Sequence, residues 1–343
     1  MDVAAPAIWL RDNCSCERCR HANGQKLHGI NDLGADLRIA EVIEAGAEIR
    51  IRFAGDSHEA VFDRDWLVAA WQGEAESDTK QSWSAEVPEC DWAGYLAEPS
   101  RKLAALEAVL RTGFVLLHGV PADDGTVLDV ARSFGFVRVT NYGDLFDVRV
   151  EPDPDNLAFT SLPISPHTDN PYRDPVPTVQ LLHCLRNAAE GGDSGLVDGF
   201  RAARLLREEQ PHAFDVLTST EVTFAFASAD AELRATRPMI GLNSAGRIRE
   251  VRFNNRSLQP VRGSAAQVEE FYEAYRAFDE ILNRPELRLV LRLRPGDCLL
   301  FDNTRVLHAR TAFDAVGERH LQGCYADIDG LASTAAVLRR GLV

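Results

Sequence analysis

Three residues constrain the fold of this chain more than any other feature. His167 and Asp169 form a His-x-Asp pair, and His308 lies far downstream. Residues i and i+2 of an extended strand project from the same face, so the pair can bind one metal ion without backbone strain. Two His and one carboxylate are the ligand set of non-haem iron sites with open coordination positions. The fold must therefore bring a second strand, carrying His308, against the first.

The residues that precede His308 favour such a strand. Residues 287–293 alternate between apolar and polar side chains, Pro295-Gly296 marks a turn, and residues 298–301 form an apolar run. These patterns predict neighbouring strands that end close to His308. A lone His-x-Asp pair is more often an exposed turn, so the metal assignment depends on this context.

A further charged residue lies in a predicted strand. Arg319 opens the run 319–327, eleven residues after His308. An Arg on a barrel strand is costly to bury without a partner. Its planar guanidinium fits a carboxylate through two parallel hydrogen bonds, which a dicarboxylate co-substrate would supply. The alternative is an internal ion pair with an Asp, and it would be preferred if the metal ligands were missing.

A cysteine cluster near the start of the chain suggests a second metal. Cys14, Cys16 and Cys19 offer three thiolates within six residues, enough for three corners of a tetrahedral zinc site. A closed site of this kind would be structural. The spacing is not the paired Cys-x-x-Cys pattern, so free buried thiols are the alternative. The candidates for the fourth ligand are His21, His28 and His58.

Length and charge limit the class of protein. The 343 residues suffice for a catalytic domain and a smaller one. The net charge of −15 argues against nucleic acid as a partner, since a phosphate backbone requires a basic surface. No apolar stretch approaches a membrane span, and the start lacks a secretory signal, so we expect a cytoplasmic protein without a membrane partner. The seven cysteines do not resemble a secreted disulfide framework.

The first ninety residues read as a small β-rich domain. Residues 37–42 and 47–53 alternate as strands do, and a helix is predicted to begin at Asp63 or Asp65. The polar segment 72–82 has the composition of a linker or exposed loop. We therefore predict one domain over residues 1–90 and a second over 91–343.

The second domain is predicted to be mainly β with flanking helices. Residues 101–111 form an amphipathic pattern that ends before Gly113, and residues 114–118 read as a buried strand. Further helices are predicted near 200–209 and 265–283. Most of the remaining pattern is strand, which favours a jelly-roll barrel over a parallel α/β sheet.

Taken together, these segments resemble the γ-butyrobetaine dioxygenase and trimethyllysine dioxygenase family, relatives of taurine dioxygenase, over nearly the whole chain. The run Trp9-Leu-Arg-Asp-Asn-Cys14 with the cysteine cluster is similar to the family's N-terminal zinc module. The segments similar to its catalytic core are 167–172, 179–184, 191–199 and 301–310.

The resemblance implies an Fe(II)- and 2-oxoglutarate-dependent oxygenase that consumes O2, built on a double-stranded β-helix. Its iron ligands fall on His167, Asp169 and His308, and its 2-oxoglutarate arginine falls on Arg319. A weaker similarity to taurine dioxygenase suggests that Ser194 helps to hold the co-substrate. The resemblance also assigns the fourth zinc ligand to His58 and implies a homodimer.

The family's aromatic cage for a quaternary ammonium group is implied at four rings: Tyr142, Phe146, Phe159 and Tyr325. Phe146 stands where the family has Trp and Phe159 where it has Tyr, which leaves four rings with a weaker π surface. The alternative for both phenylalanines is an ordinary core position.

At the other end of the implied substrate, Asn156 and Asn254 match positions that line the family's carboxylate pocket. Arg256 is an additional cation that would suit a more highly charged anion, or it is an ordinary surface residue. The leading hypothesis is therefore hydroxylation of γ-butyrobetaine to L-carnitine, with release of succinate and CO2. The alternatives are hydroxylation of 2-(trimethylamino)ethylphosphonate or of trimethyllysine, and a betaine-binding barrel without catalysis.

Overall fold

The structure is a computed structural model that describes residues 5–72, 80–83, 86–150, 160–314 and 317–342. The chain divides into two compact units, Met1–Asp78 and Thr79–Val343. The predicted boundary near residue 90 lies within the second unit, because the strand Glu89–Asp91 pairs in parallel with the strand Phe114–His118. Among the described residues, no helix is both long and apolar enough to cross a membrane.

The first unit is a three-stranded antiparallel sheet with two helices. Its central strand alternates buried Ile49, Ile51 and Phe53 with exposed polar residues, so only one face of the sheet contributes to a core. Asp63 accepts a hydrogen bond from the backbone N–H of Trp66 at the predicted start of the second helix. The elements are α1 (Ala7–Asp12), β1 (Arg38–Ala45), β2 (Glu48–Ala54), β3 (Glu59–Asp63) and α2 (Arg64–Gln72).

The second unit begins with helices and a strand and continues mainly as strands. Its first half consists of β4 (Glu89–Asp91), α3 (Trp92–Ala97), α4 (Pro99–Thr112), β5 (Phe114–His118), α5 (Thr126–Arg132), β6 (Phe146–Val148), β7 (Ile164–His167), β8 (Val179–Asn187) and β9 (Ser194–Asp198). Its second half consists of α6 (Gly199–Glu209), α7 (Pro211–Ser219), β10 (Val222–Ala227), β11 (Glu232–Arg237), β12 (Ile240–Leu242), β13 (Ile248–Val251), α8 (Ala265–Leu282), β14 (Arg288–Leu291), β15 (Cys298–Asp302), β16 (Val306–Arg310), β17 (Arg319–Ala326) and α9 (Ile328–Gly341).

Two sheets form the framework of this unit. The larger has the strand order β4-β5-β15-β8-β17-β6 and the smaller β14-β9-β16-β7, with every pair antiparallel except β4 with β5. Side chains from both sheets, among them Leu196, Phe301 and Leu321, share one apolar core. This arrangement confirms the predicted mainly β jelly roll with flanking helices.

The predicted helices are confirmed, and their ends follow the expected chemistry. Helix α4 ends at Gly113, whose φ of 93° is the left-handed conformation that glycine adopts easily. Helix α8 begins with a capping box formed by Ser264 and Gln267. The sequence patterns did not predict α1, α3, α5, α7 or α9. The first three span six, six and seven residues, which is too short for a clear apolar periodicity.

Candidate metal centres and active-site pocket

The three predicted iron ligands lie together where β7 meets β16. His167 and His308 are direct partners in the register of these antiparallel strands, and their ring centroids are 4.1 Å apart. Asp169 Oδ1 lies 3.3 Å from His167 Nε2, and Asp169 Oδ2 lies 3.8 Å from His308 Nε2. Donor atoms bonded to one metal at about 2.1 Å and at right angles would be about 3 Å apart. The cluster is therefore close to the spacing that a shared metal ion requires.

Hydrogen bonds fix the orientation of this cluster. The Nδ1–H of His167 donates to the carbonyl of Ser165 at 2.9 Å, which leaves Nε2 as the ligand atom. Asn303, which is 1% exposed, accepts from the backbone N–H of Asp169 at 2.8 Å and donates to its carbonyl at 3.0 Å. Asn303 thus ties the His-x-Asp segment to the turn that precedes β16. The sequence analysis included residue 303 in the segment 301–310 that resembles the family's catalytic core, but gave it no role of its own.

The charges in the cluster suit metal binding. Burial alone would raise the pKa of Asp169, but the nearby histidines and Arg256 outweigh it and hold that pKa well below its usual range. Burial, with repulsion from His167, lowers the pKa of His308 to about 3. A carboxylate anion and a neutral imidazole are the protonation states that a metal ligand needs.

The cysteine cluster of the first unit forms a second, separate set of donors. The Nε2 atom of His58 lies 3.1 Å from the Sγ of Cys14, 3.7 Å from that of Cys16 and 3.5 Å from that of Cys19. Tetrahedral zinc with ordinary Zn–S and Zn–N bonds would place S and N about 3.6 Å apart. His58 is therefore the fourth donor of the cluster, whereas His28 lies beside Asp12.

The electrostatics of this cluster also fit zinc. Burial raises the pKa of the Cys14 thiol to about 11, so its thiolate form needs a cation beside it. Burial lowers the pKa of His58, which keeps the imidazole neutral. Arg11 donates to Cys19 Sγ at 3.1 Å and to Asp56 at 2.6 Å, which offsets part of the negative charge of three thiolates.

We expect Cys16→Ser to lose zinc and to lower the thermal stability of the first unit, because a structural zinc site contributes directly to folding. Zinc would be counted by mass spectrometry after iron has been removed with a chelator. Cys90→Ser, a free cysteine of the second unit, is the matched control and should retain one zinc per chain. Full zinc content in Cys16→Ser would show that the ligand set is wrong.

A cavity of about 420 Å³ lies against the His-Asp-His cluster. Its lining contains the site residues that the sequence predicted in the described part of the second unit: His167, Asp169, Ser194, His308, Arg319, Tyr142, Phe146, Asn254 and Tyr325. Asn156 and Phe159 lie outside the described residues. The cavity is therefore the place where the predicted iron, co-substrate and substrate groups meet.

Aromatic rings form one wall of the cavity. The ring of Phe146 lies 5.2 Å from that of Tyr325 and 6.3 Å from that of Tyr142, so Phe146 lines the cavity while it also packs against the apolar core. Phe226 extends the wall, with its ring 5.9 Å from Tyr142 and 5.2 Å from Tyr172. The sequence interpretation missed Phe226, because its strand alternates like any other and gives no sign of the cavity.

A glycine makes room for the ring of Phe146. Gly323 is the direct partner of Phe146 where β17 pairs with β6. A Cβ at residue 323 would lie 2.3 Å from the Cζ atom of Phe146. The ring thus covers its glycine partner, and any larger residue at 323 would push it into the cavity.

Arg319 is a buried cation with donors available. It is 6% exposed, and its Nε and Nη1 atoms have no hydrogen-bond partner in the part of the chain that the structure describes. The guanidinium lies 5.4 Å from the ring centroid of Phe313, and a Cβ at Gly192 would approach Nε to 2.9 Å. The predicted alternative, an internal Arg–Asp ion pair, is not formed within the described residues. A buried guanidinium with free donors fits a carboxylate ligand.

The remaining polar residues of the cavity differ in their freedom to bind a ligand. Ser194 is buried at the start of β9, where its register partner is Arg310. Asn254 already donates to the carbonyl of Thr168 at 3.0 Å and accepts from the backbone N–H of Arg256 at 3.1 Å. Asn254 therefore holds the turn that carries Arg256 and has one amide hydrogen left for a ligand. The exposed Arg256 side chain lines the cavity.

The comparisons with known proteins agree with this geometry. The family model described as "Taurine catabolism dioxygenase TauD, TfdA family" matches residues 76–325, and "Gamma-butyrobetaine hydroxylase-like, N-terminal" matches residues 2–68. A γ-butyrobetaine dioxygenase from Pseudomonas sp. (strain AK-1) is 37% identical over 97% of this chain and 90% of its own length. The Homo sapiens γ-butyrobetaine dioxygenase is 32% identical over 98% of this chain and 91% of its own length.

A solved structure supports the fold. The crystal structure of an asparagine oxygenase in complex with Fe(II), hydroxyasparagine and succinate superposes with a TM-score of 0.54 at 21% identity. The superposition covers 69% of this chain and 82% of that protein. The chain belongs to the TauD/TfdA family of Fe(II)- and 2-oxoglutarate-dependent dioxygenases.

Proposed function

We propose that this protein hydroxylates γ-butyrobetaine to L-carnitine, using Fe(II), 2-oxoglutarate and O2 and releasing succinate and CO2. The observation that carries the proposal is a single cavity in which an aromatic wall, the buried cation Arg319 and the His-Asp-His cluster adjoin. The two relatives named above carry this activity in their names.

In this proposal His167, Asp169 and His308 hold the iron. Arg319 binds the distal carboxylate of 2-oxoglutarate through its free Nε and Nη1 donors, and Ser194 assists. When bound, iron and 2-oxoglutarate supply the chemistry that oxidises an unactivated C–H bond. The protein positions that carbon and excludes bulk water from the centre. A barrel that bound only a betaine would have no need of 2-oxoglutarate. The buried guanidinium of Arg319 would then have no carboxylate ligand.

The aromatic wall supports a quaternary ammonium as the cationic end of the substrate. Such a group has no hydrogen to donate, so ring faces are its natural partners, each contributing about 0.5–2 kcal/mol. The described residues offer five rings in the cavity lining: Tyr142, Phe146, Tyr172, Phe226 and Tyr325. Phe159 stays a proposed further member of the cage, and Asn156 stays a proposed partner for the anionic end.

Arg256 favours a second candidate substrate. It lines the cavity near enough to Asp169 to help lower the pKa of that carboxyl group, and it forms no ion pair among the residues that the structure describes. A dianion gains more from such a guanidinium than a monoanion does. 2-(Trimethylamino)ethylphosphonate, which has the same cationic group and a phosphonate, is therefore the alternative, and trimethyllysine completes the set to be tested.

The test is steady-state turnover on these three compounds, read as succinate formation with iron and 2-oxoglutarate supplied. We expect γ-butyrobetaine to be turned over best. Arg256→Gln should raise the KM for γ-butyrobetaine by up to about fivefold, the effect of at most about 1 kcal/mol from one exposed charge. Arg262→Gln, an exposed arginine outside the cavity lining, is the matched control and should leave KM unchanged.

Three outcomes distinguish the candidates. The second candidate would replace the first if the enzyme turned over the phosphonate best and if Arg256→Gln raised the KM for the phosphonate more than the KM for γ-butyrobetaine. Preference for trimethyllysine would replace both. Inactivity on all three compounds, while 2-oxoglutarate still binds, would reject the assignment of the aromatic wall to a quaternary ammonium.

We also propose a homodimer, which the family resemblance supports, and a cytoplasmic location, which the sequence analysis predicted. Light scattering of the purified protein measures the first. Fractionation of cells that express the chain measures the second.

A further inference from the structure

One oxygen of the proposed iron carboxylate accepts two hydrogen bonds from neighbouring strands. The side-chain amide nitrogen of Gln180 donates to Asp169 Oδ2 at 2.9 Å. The hydroxyl of Tyr325 donates to the same oxygen at 3.0 Å. Both donors are almost fully buried, with Gln180 1% and Tyr325 3% exposed. A carboxylate oxygen has about two lone-pair sites, so these bonds occupy Oδ2.

The fold explains why the two donors converge. Gln180 lies on β8 and Tyr325 on β17, and the two residues are direct register partners in the larger sheet. Partners in an antiparallel pair project from the same face of the sheet. Their side chains therefore reach the cavity side by side and meet at Asp169, which enters from the segment after β7.

We infer that Gln180 and Tyr325 are positioning residues that hold Asp169 with Oδ2 occupied and reserve Oδ1 for the metal. Oδ1 lies 3.3 Å from His167 Nε2, whereas Oδ2, which accepts both hydrogen bonds, approaches His308 Nε2 only to 3.8 Å. The inference rests on the proposed iron site and deepens it. Partners of metal-bound carboxylates commonly fix the orientation of the ligand in this way.

The glutamine itself supports this role. Its Oε1 atom is buried without a hydrogen-bond partner among the described residues, so the side chain is only partly satisfied at its position. A buried amide with an unpaired oxygen is unfavourable compared with an apolar side chain of the same shape. The bond to Asp169 is the interaction that an apolar residue at 180 could not provide.

Tyr325 combines two groups whose effects can be separated. Its ring borders Phe146 in the aromatic wall, while its hydroxyl reaches the carboxylate. Tyr325→Phe removes the hydroxyl and keeps the ring. Tyr142→Phe is a matched control, because Tyr142 is also a tyrosine of the wall but its hydroxyl pairs with Tyr172 at 3.2 Å.

The test measures metal affinity without turnover. Protein stripped of iron but retaining zinc would be titrated with Mn(II), and free Mn(II) followed by electron paramagnetic resonance. Mn(II) accepts the same nitrogen and oxygen donors as Fe(II). We expect Tyr325→Phe and Gln180→Leu each to weaken Mn(II) binding by about tenfold or more, the effect of losing a partner of a metal ligand. Tyr142→Phe should stay within about twofold of the wild type, and His308→Ala should lose the site.

Thermal unfolding of each variant separates a local effect from a folding defect. Tyr325→Phe alone decides the question if Gln180→Leu does not fold. Unchanged Mn(II) affinity in Tyr325→Phe, with binding lost in His308→Ala, would overturn the inference and leave the iron site standing. An equal loss in Tyr142→Phe would also overturn it, because general packing of the wall would then explain the effect. Mn(II) binding that survives in His308→Ala would overturn the proposed iron site as well.

Discussion

Replacing His167 with Ala is expected to reduce kcat/KM by more than about a hundredfold, because residues that merely support metal ligands already contribute 10- to 100-fold. His167 supplies one of the three donor atoms that cluster in the cavity, and its hydrogen bond to the Ser165 carbonyl fixes which nitrogen does so. Two remaining donors would hold iron weakly. The measurement is succinate formation, together with the iron content of the purified variant.

The matched control for this variant is His212→Ala. His212 is exposed on α7, where it pairs with Glu270 at 2.6 Å, and it does not line the cavity. It should retain the wild-type rate. His167→Ala should also keep its zinc, since those donors lie in the first unit. Turnover within tenfold of the wild type in His167→Ala would remove this residue from the ligand set.

Replacing Arg305 with Met is expected to lower the free energy of unfolding of the second unit by about 3–5 kcal/mol. The Arg305 side chain is 1% exposed and donates to both oxygens of Asp198, at 3.0 Å from Nε and 2.8 Å from Nη2. Asp198 also accepts the backbone N–H groups of Phe200 and Arg201 at the start of α6. The variant would leave that carboxylate buried without its cation.

The experiment measures the unfolding of Arg305→Met and of the wild type with a spectroscopic signal that reports on the second unit. A fall of this size should lower its melting temperature by on the order of 10 °C. Arg339→Met is the matched control, because Arg339 forms an exposed ion pair with Glu107, which contributes about 1 kcal/mol or less. If both variants lose the same stability, the buried pair is not the stabilising contact that its burial indicates.

The sequence was most informative where chemistry is encoded locally. The i, i+2 spacing of His167 and Asp169, the apolar run before His308 and the glycine after α4 each depend on a few adjacent residues. The alternation of side chains follows from the geometry of a strand, and a helix end depends on the residues beside it, so the predicted elements lie close to where the patterns placed them. The short helices α3 and α5 were missed because one or two turns provide too little periodicity.

Local sequence patterns could not predict contacts between distant segments. Asp198 and Arg305 are separated by 107 positions, and neither has a neighbour in sequence that predicts the other. Asn303 had no individual role in the sequence analysis, yet its amide holds the backbone of Asp169. Phe226 lay in an unremarkable strand and became part of the aromatic wall only through the fold.

The sequence by itself determined which residue types could bind iron, zinc and a carboxylate, although the strand predicted to carry both His167 and Asp169 ends at His167. Only the tertiary structure brought the Nε2 atom of His58 within 3.7 Å of all three cysteine sulfurs, and placed Gln180 beside Tyr325 on the same oxygen of Asp169. The physical reason is that side-chain direction follows from local backbone geometry, whereas register and proximity between remote strands depend on hydrogen bonding and packing of the whole chain.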